Sequence, residues 1–271
     1  MSDTDENTPS PEDLLLDLKT ELGSECDGVD DDHLLKFLHW KPNVERAATR
    51  YRDLVKWKTA NPGLFDDTLR VSKDPELERC LLSEVVVSPP SLKTRQGGAV
   101  LIGRLRNNDM TDGRTADGVC RMLFYTIDRV LQRPETKLHG MTIIHDLRGF
   151  DKIKNARLEV AKRLFHGLFG QFPVHVNAIY ICNAPMVFIG FFKIMSNLFM
   201  TKKVRQRIKF IDDFKELNEI YDVIDPNDLL TDLGGTLEWS IKDWVEEQKQ
   251  KEQSGDTTWK SLTDIDPLPK D

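Results

Sequence analysis

The sequence has few of the residues that build metal sites and disulfide frameworks. Its 271 residues include four cysteines and six histidines. The cysteines form no CxxC pair, and the histidines form no HxxxH or HExxH pair. Zinc sites need closely spaced ligands, and widely separated cysteines are typical of reducing compartments. We therefore expect no metal site, and free, mostly buried thiols in an intracellular protein.

Glycine-rich nucleotide loops and activated nucleophiles are also absent. The sequence lacks GxGxxG after a strand, GxxxxGK followed by Ser or Thr, GxSxG, and a cysteine followed by five residues and an arginine. Nucleotide binding and hydrolase chemistry depend on such motifs. Asp146 is expected to cap a turn or pair with a nearby base, Arg148 to be solvated, and His145 to be a satisfied core residue. We predict no catalytic residue, no cofactor and no enzymatic activity.

Basic residues are fewer than acidic ones, so the formal net charge is −7 and the isoelectric point is near 5.5. This balance argues against a general nucleic-acid binder. Hydrophobic residues make up 39% and charged residues 31%, which is typical of a soluble globular chain. The opening segment MSDTDENTPSPED has no apolar signal sequence.

The periodicity of apolar residues predicts an α/β fold. Helical patterns dominate 10–75, which we interpret as a small all-helical lobe, and strands alternate with helices over 76–253. Residues 1–9 and 254–271 are expected to be disordered or flexible. The predicted strands are SEVVVSP, GGAVLIGRLR, MTIIHDLRGF, AIYIC and RIKFI. The predicted helices between and after them are Ala116 to Gln132, Asn155 to Phe169, the segment MVFIGFFKIMSNLFM, Asp212 to Tyr221, and LEWSIKDWVEEQKQKE. This alternation indicates a largely parallel five-stranded sheet.

The segment MVFIGFFKIMSNLFM is the most apolar part of the chain. It is shorter than the roughly 20 apolar residues that a membrane span needs. One helical face carries Phe188, Phe191, Phe192, Met195 and Phe199. Two interpretations remain open at this point: a buried core helix, or a lid over a lipid-sized cavity. The cations that follow could meet anionic head groups or simply stabilise a solvated helix end.

Five segments resemble the CRAL-TRIO lipid-binding family in their order and spacing. They are HLLKFLHWKPNVERAATRYRDLVKWK, MTIIHDLRGF, QFPVHVNAIYICNAP, NLFMTKKVRQRI and DLLTDLGGTLEW. The resemblance implies a lipid-binding lobe after a helical N-terminal lobe, with a hydrophobic molecule held between the sheet and a mobile gate helix. It also implies a set of residues that contact the lipid, namely Cys120, Leu123, Phe124, Ile127, Ile144, Phe188, Phe191, Phe192, Met195 and Phe199.

The resemblance further implies a basic site beside the gate, where Lys203 and Arg207 match phosphoinositide-binding positions of the tocopherol-transfer branch. Two family basic positions differ, since they read His175 and Asn197 here. Leu123 and Ile127 stand where tocopherol binders carry serine, so α-tocopherol itself is a less expected ligand.

The expected function is non-enzymatic binding and transfer of a lipid by a monomeric cytoplasmic protein that associates peripherally with anionic membranes. A phosphoinositide is one candidate for the lipid it docks on. The alternative is a protein-interaction scaffold with a collapsed pocket, which would bind a small GTPase or a membrane adaptor. A pocket filled by Phe188 and Phe192 would favour this alternative.

Overall fold

The computed structural model describes residues 9–65, 69–212 and 218–254. Most of the two predicted disordered ends, and residues 213–217 of the predicted helix Asp212 to Tyr221, lie outside this part. Within the described ranges, no helix is long and apolar enough to cross a membrane.

Five helices precede the sheet. They are α1 (Pro11–Leu22), α2 (Asp31–Trp40), α3 (Val44–Ala60), α4 (Pro62–Phe65) and α5 (Pro75–Leu82). Ser10 and Asp13 form a reciprocal capping box at the start of α1. The apolar faces of α1, α2 and α3 meet in a core that includes Leu18, Phe37 and Tyr51. The predicted lobe boundary at residue 75 falls on the first residue of α5, and the division into lobes stays a prediction.

The sheet has five strands in the order in which they occur along the chain. They are β1 (Val86–Val87), β2 (Ala99–Arg104), β3 (Met141–Asp146), β4 (Val176–Cys182) and β5 (Ile208–Ile211). β1 pairs antiparallel with β2, and the remaining neighbours are parallel. Nearly every residue of β2 and β3 is buried, as expected for strands covered on both faces. The predicted mostly parallel five-stranded sheet is confirmed.

The remaining helices connect or follow the parallel strands. They are α6 (Ala116–Leu131), α7 (Pro134–His139), α8 (Leu158–Phe165), α9 (Met186–Phe199), α10 (Lys202–Arg205), α11 (Asn218–Tyr221) and α12 (Ile241–Gln253). Right-handed crossovers between strands in sequential order bring their helices to one face of the sheet. α6, α8 and α9 therefore lie together over that face, where they enclose the cavity described below.

The helix predicted from Asn155 begins three residues later, at Leu158. Asn155 is buried, and its side chain closes the preceding loop instead. Its Oδ1 accepts a hydrogen bond from the Asp151 amide at 2.6 Å, and its Nδ2 donates to the Asn108 carbonyl at 3.2 Å. After Phe165 the helix widens into a π-helix over His166–Gln171. Tertiary hydrogen bonds of this kind leave no mark on apolar periodicity.

Candidate functional site

A cavity of about 140 Å³ lies between the sheet and the helices α6, α8 and α9. Its sheet wall includes Leu101, Ile143 and Ile179, which pair with one another across β2, β3 and β4. Because side chains alternate along a strand, such a row presents one apolar surface. The buried strands therefore provide an apolar wall for the site.

The helices supply the opposite wall. α6 contributes Val119, Met122 and Leu123, and α8 contributes Val160 and Leu164. The spacing of these residues follows the three- and four-residue period of a helical face. The cavity is consequently enclosed almost entirely by aliphatic and aromatic groups, the composition expected of a site for a hydrophobic molecule.

α9 has two apolar faces with different environments. On the inner face Phe188 stacks on Phe192 with ring centroids 5.8 Å apart, and both residues line the cavity together with Phe191. The outer face is exposed to solvent. Its large apolar side chains and their exposed fractions are Met186 80%, Val187 52%, Ile194 63% and Leu198 65%. α9 therefore covers the cavity on one side and presents unpaired apolar surface on the other.

Four of the predicted lipid contacts line the cavity: Leu123, Phe188, Phe191 and Phe192. Ile144 does not, because it follows Ile143 on β3 and its side chain points to the opposite face of the sheet. Met195 is buried beyond the cavity, and Phe199 packs against Phe165 and His166 at the end of α9. Any ligand contact by these three residues stays a prediction that the cavity geometry does not support.

The three remaining predicted contacts lie on other parts of α6. Cys120 is next to Val119 but turned toward Arg163 of α8. Phe124 stacks on Phe65 and Phe172 at the junction with the N-terminal helices. Ile127 is buried one helical turn beyond Leu123 and is not part of the wall. The face of α6 that meets the cavity is thus rotated from the one that the resemblance implied.

His145 is a cavity residue that the sequence reasoning treated as a satisfied core histidine. That expectation is wrong, because its Nδ1 is buried without a hydrogen-bond partner among the described residues. Burial lowers the pKa of His145 to about 4, so the ring is neutral at physiological pH. The alternation along MTIIHD puts His145 on the same face as Ile143, which is the signal that could have identified it.

Asn108 is a second polar residue of the cavity wall, and it too was missed. Its Nδ2 donates to the Asn155 carbonyl at 3.2 Å, while its Oδ1 is buried without a partner among the described residues. Asn108 lies in an irregular segment after β2, so no periodicity pointed to it.

The expected ion pair at the end of β3 is confirmed. Asp146 is fully buried and accepts a hydrogen bond from Arg148 Nε at 2.9 Å, and a second guanidinium, that of Arg106, also contacts it. Burial alone would raise the pKa of Asp146, but these two cations outweigh it and hold the pKa below its usual value. Arg148 is not simply solvated, since its Nη2 also donates to the Asp232 carbonyl at 2.8 Å. Arg148 therefore joins the loop after β3 to the segment DLLTDLGGTLEW, which contains Asp232.

A basic cluster surrounds His175, which precedes β4. Burial lowers the pKa of His175, and the charges of Arg207, Lys203 and Lys41 lower it further, so each of these cations acts electrostatically on His175. Lys203 is exposed on α10, while Arg207 donates from Nη1 to the Val176 carbonyl. The two predicted phosphoinositide-binding residues thus act on the same histidine. Across the described ranges, no group of three potential ligands could hold a metal ion.

Comparison with known proteins gives a consistent result. A family model described as the CRAL/TRIO domain matches residues 91–235, more than half of the chain. A structure titled "Crystal structure of Sfh5" superposes with a TM-score of 0.59 at 13% identity, covering 92% of this chain and 100% of that one. At this identity the likeness concerns the fold alone.

Two curated relatives match shorter regions. The mouse (Mus musculus) protein named alpha-tocopherol transfer protein-like is 29% identical over 118 residues, which are 43% of this chain and 34% of the relative. Human (Homo sapiens) tyrosine-protein phosphatase non-receptor type 9 is 29% identical over 126 residues, which are 46% of this chain and 20% of the relative. The matched region thus spans about a third of the first protein and a fifth of the second.

Proposed function

The chain belongs to the CRAL/TRIO domain family, which binds and transports lipophilic ligands, and on this premise we propose that it carries one hydrophobic lipid in the cavity beneath α9. The lipid is bound without covalent chemistry and is exchanged or presented at membrane surfaces. The observation that carries this proposal is the pair of apolar faces on α9, one over the cavity and one toward solvent.

The size of the cavity supports a mobile α9. A volume of about 140 Å³ is close to that of an engineered apolar cavity that holds a single benzene molecule. A lipid with a long chain therefore needs additional space, and a displacement of α9 would provide it. Phe188, Phe191 and Phe192 would move with the helix and cover the ligand after closure.

The exposed face of α9 would contact the bilayer during exchange. Ile194 and Leu198 present unpaired apolar surface, which is favourable at the boundary between head groups and acyl chains. Lys203 and Arg207 follow α9 in the chain and would meet anionic head groups, a phosphoinositide included. We place the protein in the cytoplasm, as a monomer that associates peripherally with anionic membranes.

The alternative function is a scaffold that binds a small GTPase or a membrane adaptor. It requires a pocket filled by its own aromatic side chains. Phe188 and Phe192 instead border open space, which favours lipid carriage.

Transfer of a pyrene-labelled lipid between vesicles tests the proposal. Donor vesicles of phosphatidylcholine carry the probe, and acceptor vesicles contain phosphatidylserine. We expect the transfer rate to rise in proportion to the concentration of the full chain, and to fall when the acceptor lacks phosphatidylserine. A transfer rate that the protein leaves at its spontaneous value would contradict the proposal.

A further inference from the structure

The π-helix His166–Gln171 lies between the N-terminal helix α3 and α9, and contacts both. Its residues Leu168 and Phe169 line the cavity, as does Met200, which follows α9 directly. The contact between this segment and α9 therefore closes one end of the cavity. π-helical turns are rare and are frequently found at functional sites. A rearrangement at this contact would open the cavity at that end.

His166 connects the two sides of this segment with its ring. The ring makes a T-shaped contact with Trp57 of α3, at 5.9 Å between centroids, and another with Phe199 of α9, at 6.3 Å. Gln171 Nε2 lies 3.0 Å from His166 Nε2, so the other end of the π-helix is within hydrogen-bonding distance of the ring. His166 itself does not line the cavity. Its contacts therefore bear on the position of α9 and not on the ligand.

Trp57 is a firm support for the π-helix. It packs against Phe65 of α4 and Phe124 of α6, with ring centroids 4.9 and 5.2 Å away. Gly167 allows the π-helix to approach these rings, because a Cβ at that position would be 2.9 Å from Trp57 Cη2 and 2.6 Å from Phe124 Cε1. The π-helix is thus seated on an aromatic cluster that does not include α9, and we expect it to stay there when α9 moves.

The two ends of α9 are connected to the sheet by segments of different length. Residues 183–185 join β4 to the start of α9, whereas residues 200–207 join its end to β5. The longer segment allows the larger displacement, because each residue of an extended chain spans at most about 3.6 Å. We therefore expect the C-terminal end of α9 to be the end that moves. Its movement would separate Phe199 from His166.

We infer that His166 is the latch of α9: its ring, supported by Trp57, holds Phe199 and with it the C-terminal end of α9 over the cavity, and so limits the rate of ligand exchange. The latch is a positioning residue that does not touch the ligand. Its contact belongs to the closed protein with or without a ligand, so its loss should accelerate uptake and release equally and leave the affinity unchanged. This role rests on the proposed function and names the residue that controls exchange.

Stopped-flow measurement with the fluorescent reporter N-phenyl-1-naphthylamine and the full chain tests this role. Uptake follows mixing with the free dye, and release follows mixing of the loaded protein with methyl-β-cyclodextrin, which binds the dye without a membrane. We expect both rates to rise about fivefold in His166→Ala, the factor that one aromatic pair contributes, with the dissociation constant unchanged. Release of the pyrene-labelled lipid from the loaded protein to cyclodextrin should accelerate likewise.

Further variants assign the effect to the ring contact. His166→Phe keeps an aromatic ring and should retain the rates of the unaltered protein. His139→Ala is the control, because His139 is also an exposed histidine but lies on α7. Phe199→Ala removes the other partner, so adding His166→Ala to it should cause no further acceleration. If His166→Ala does not fold, His166→Gln takes its place, because this variant also lacks the ring.

Unchanged rates in a folded His166→Ala would overturn the latch, as would equal acceleration by His139→Ala. A weaker complex with an unchanged uptake rate would also overturn it, because His166 would then shape the closed cavity instead of restraining α9. In these cases the proposed lipid carriage would stand. Failure of the unaltered protein to bind either the dye or the pyrene-labelled lipid would overturn both proposals.

Discussion

Gly103 of β2 pairs with His145 of β3, and the imidazole fills the space that a side chain at position 103 would occupy. A Cβ there would lie 2.7 Å from His145 Nδ1. The glycine thus sets the position of the polar ring in an otherwise apolar wall. The cavity geometry depends on this pair, because both residues line the cavity.

We predict that Gly103→Ala displaces the imidazole and weakens ligand binding. Overpacking of a buried site costs about 1–3 kcal/mol of stability, and the shifted ring would also narrow the cavity. Gly63→Ala is the control, because a Cβ at position 63 meets nothing within 4 Å. Urea unfolding and displacement of N-phenyl-1-naphthylamine measure the two effects. Equal stability and affinity in both variants would show that His145 adjusts without cost.

The neutral ring of His145 predicts a loss of stability in mild acid. Its pKa is about 4 in the folded chain against an ordinary value of 6.5, because burial disfavours the charged ring. The unfolded chain therefore binds a proton before the folded one does, and stability falls as the pH drops from 6.5 toward 4. Between about pH 7.5 and about pH 4.5 this group should remove on the order of 2 kcal/mol.

Urea unfolding of the unaltered chain and of His145→Leu at the two pH values isolates this contribution. The variant lacks the titrating group, so its loss of stability between the two pH values should be smaller by the predicted amount. An identical loss in both proteins would mean that His145 binds a proton as readily in the folded chain as in the unfolded chain.

The outer face of α9 should govern docking to membranes without affecting ligand binding in solution. Ile194→Asp combined with Leu198→Asp places two charges at exposed positions, so folding should be unaffected and docking to vesicles should fall at least about tenfold. Leu16→Asp is the control, because Leu16 is 65% exposed on α1, as exposed as Leu198. Co-sedimentation with vesicles measures docking, and unchanged docking of the double variant would remove α9 from the contact surface.

Lys203 should contribute specifically to docking on anionic membranes. Lys203→Ala is expected to weaken binding to phosphatidylserine vesicles about fivefold and to leave binding to neutral vesicles unchanged, since one cation near an anionic surface is worth about 1 kcal/mol. Arg207 is a less clean probe, because it also donates to the Val176 carbonyl. Lys242→Ala, an exposed lysine on α12, provides the same charge change as a control. Equal effects of the two lysine variants would indicate a general influence of net charge.

The sequence predicted those features that arise from local periodicity. The alternation of apolar strands with helices was sufficient to infer the sheet. The strongly apolar segment MVFIGFFKIMSNLFM was sufficient to infer α9. The sequence did not predict which face of each strand and helix lines the cavity. Ile143 and Ile144 look equivalent in the sequence, yet strand alternation turns only Ile143 toward the cavity.

The rotation of α6 and the loop after β3 illustrate the same limit. Cys120 and Val119 are neighbours, and only the packing of α6 against α8 decides that Val119 lines the cavity. Asn155 carries the signal of a helix start, but its buried side chain bonds to the Asn108 carbonyl and the helix begins later. Such choices are made by tertiary contacts, which a local pattern does not contain.

Native mass spectrometry of the purified full chain, followed by solvent extraction, tests the central claim most directly. Each buried CH₂ group stabilises a complex by about 0.8 kcal/mol, so a lipid of ordinary chain length should remain bound through purification. We predict a population with the added mass of one lipid, which solvent extraction removes and incubation with vesicles restores. A chain that shows only its own mass, both as purified and after incubation with vesicles, would contradict the account.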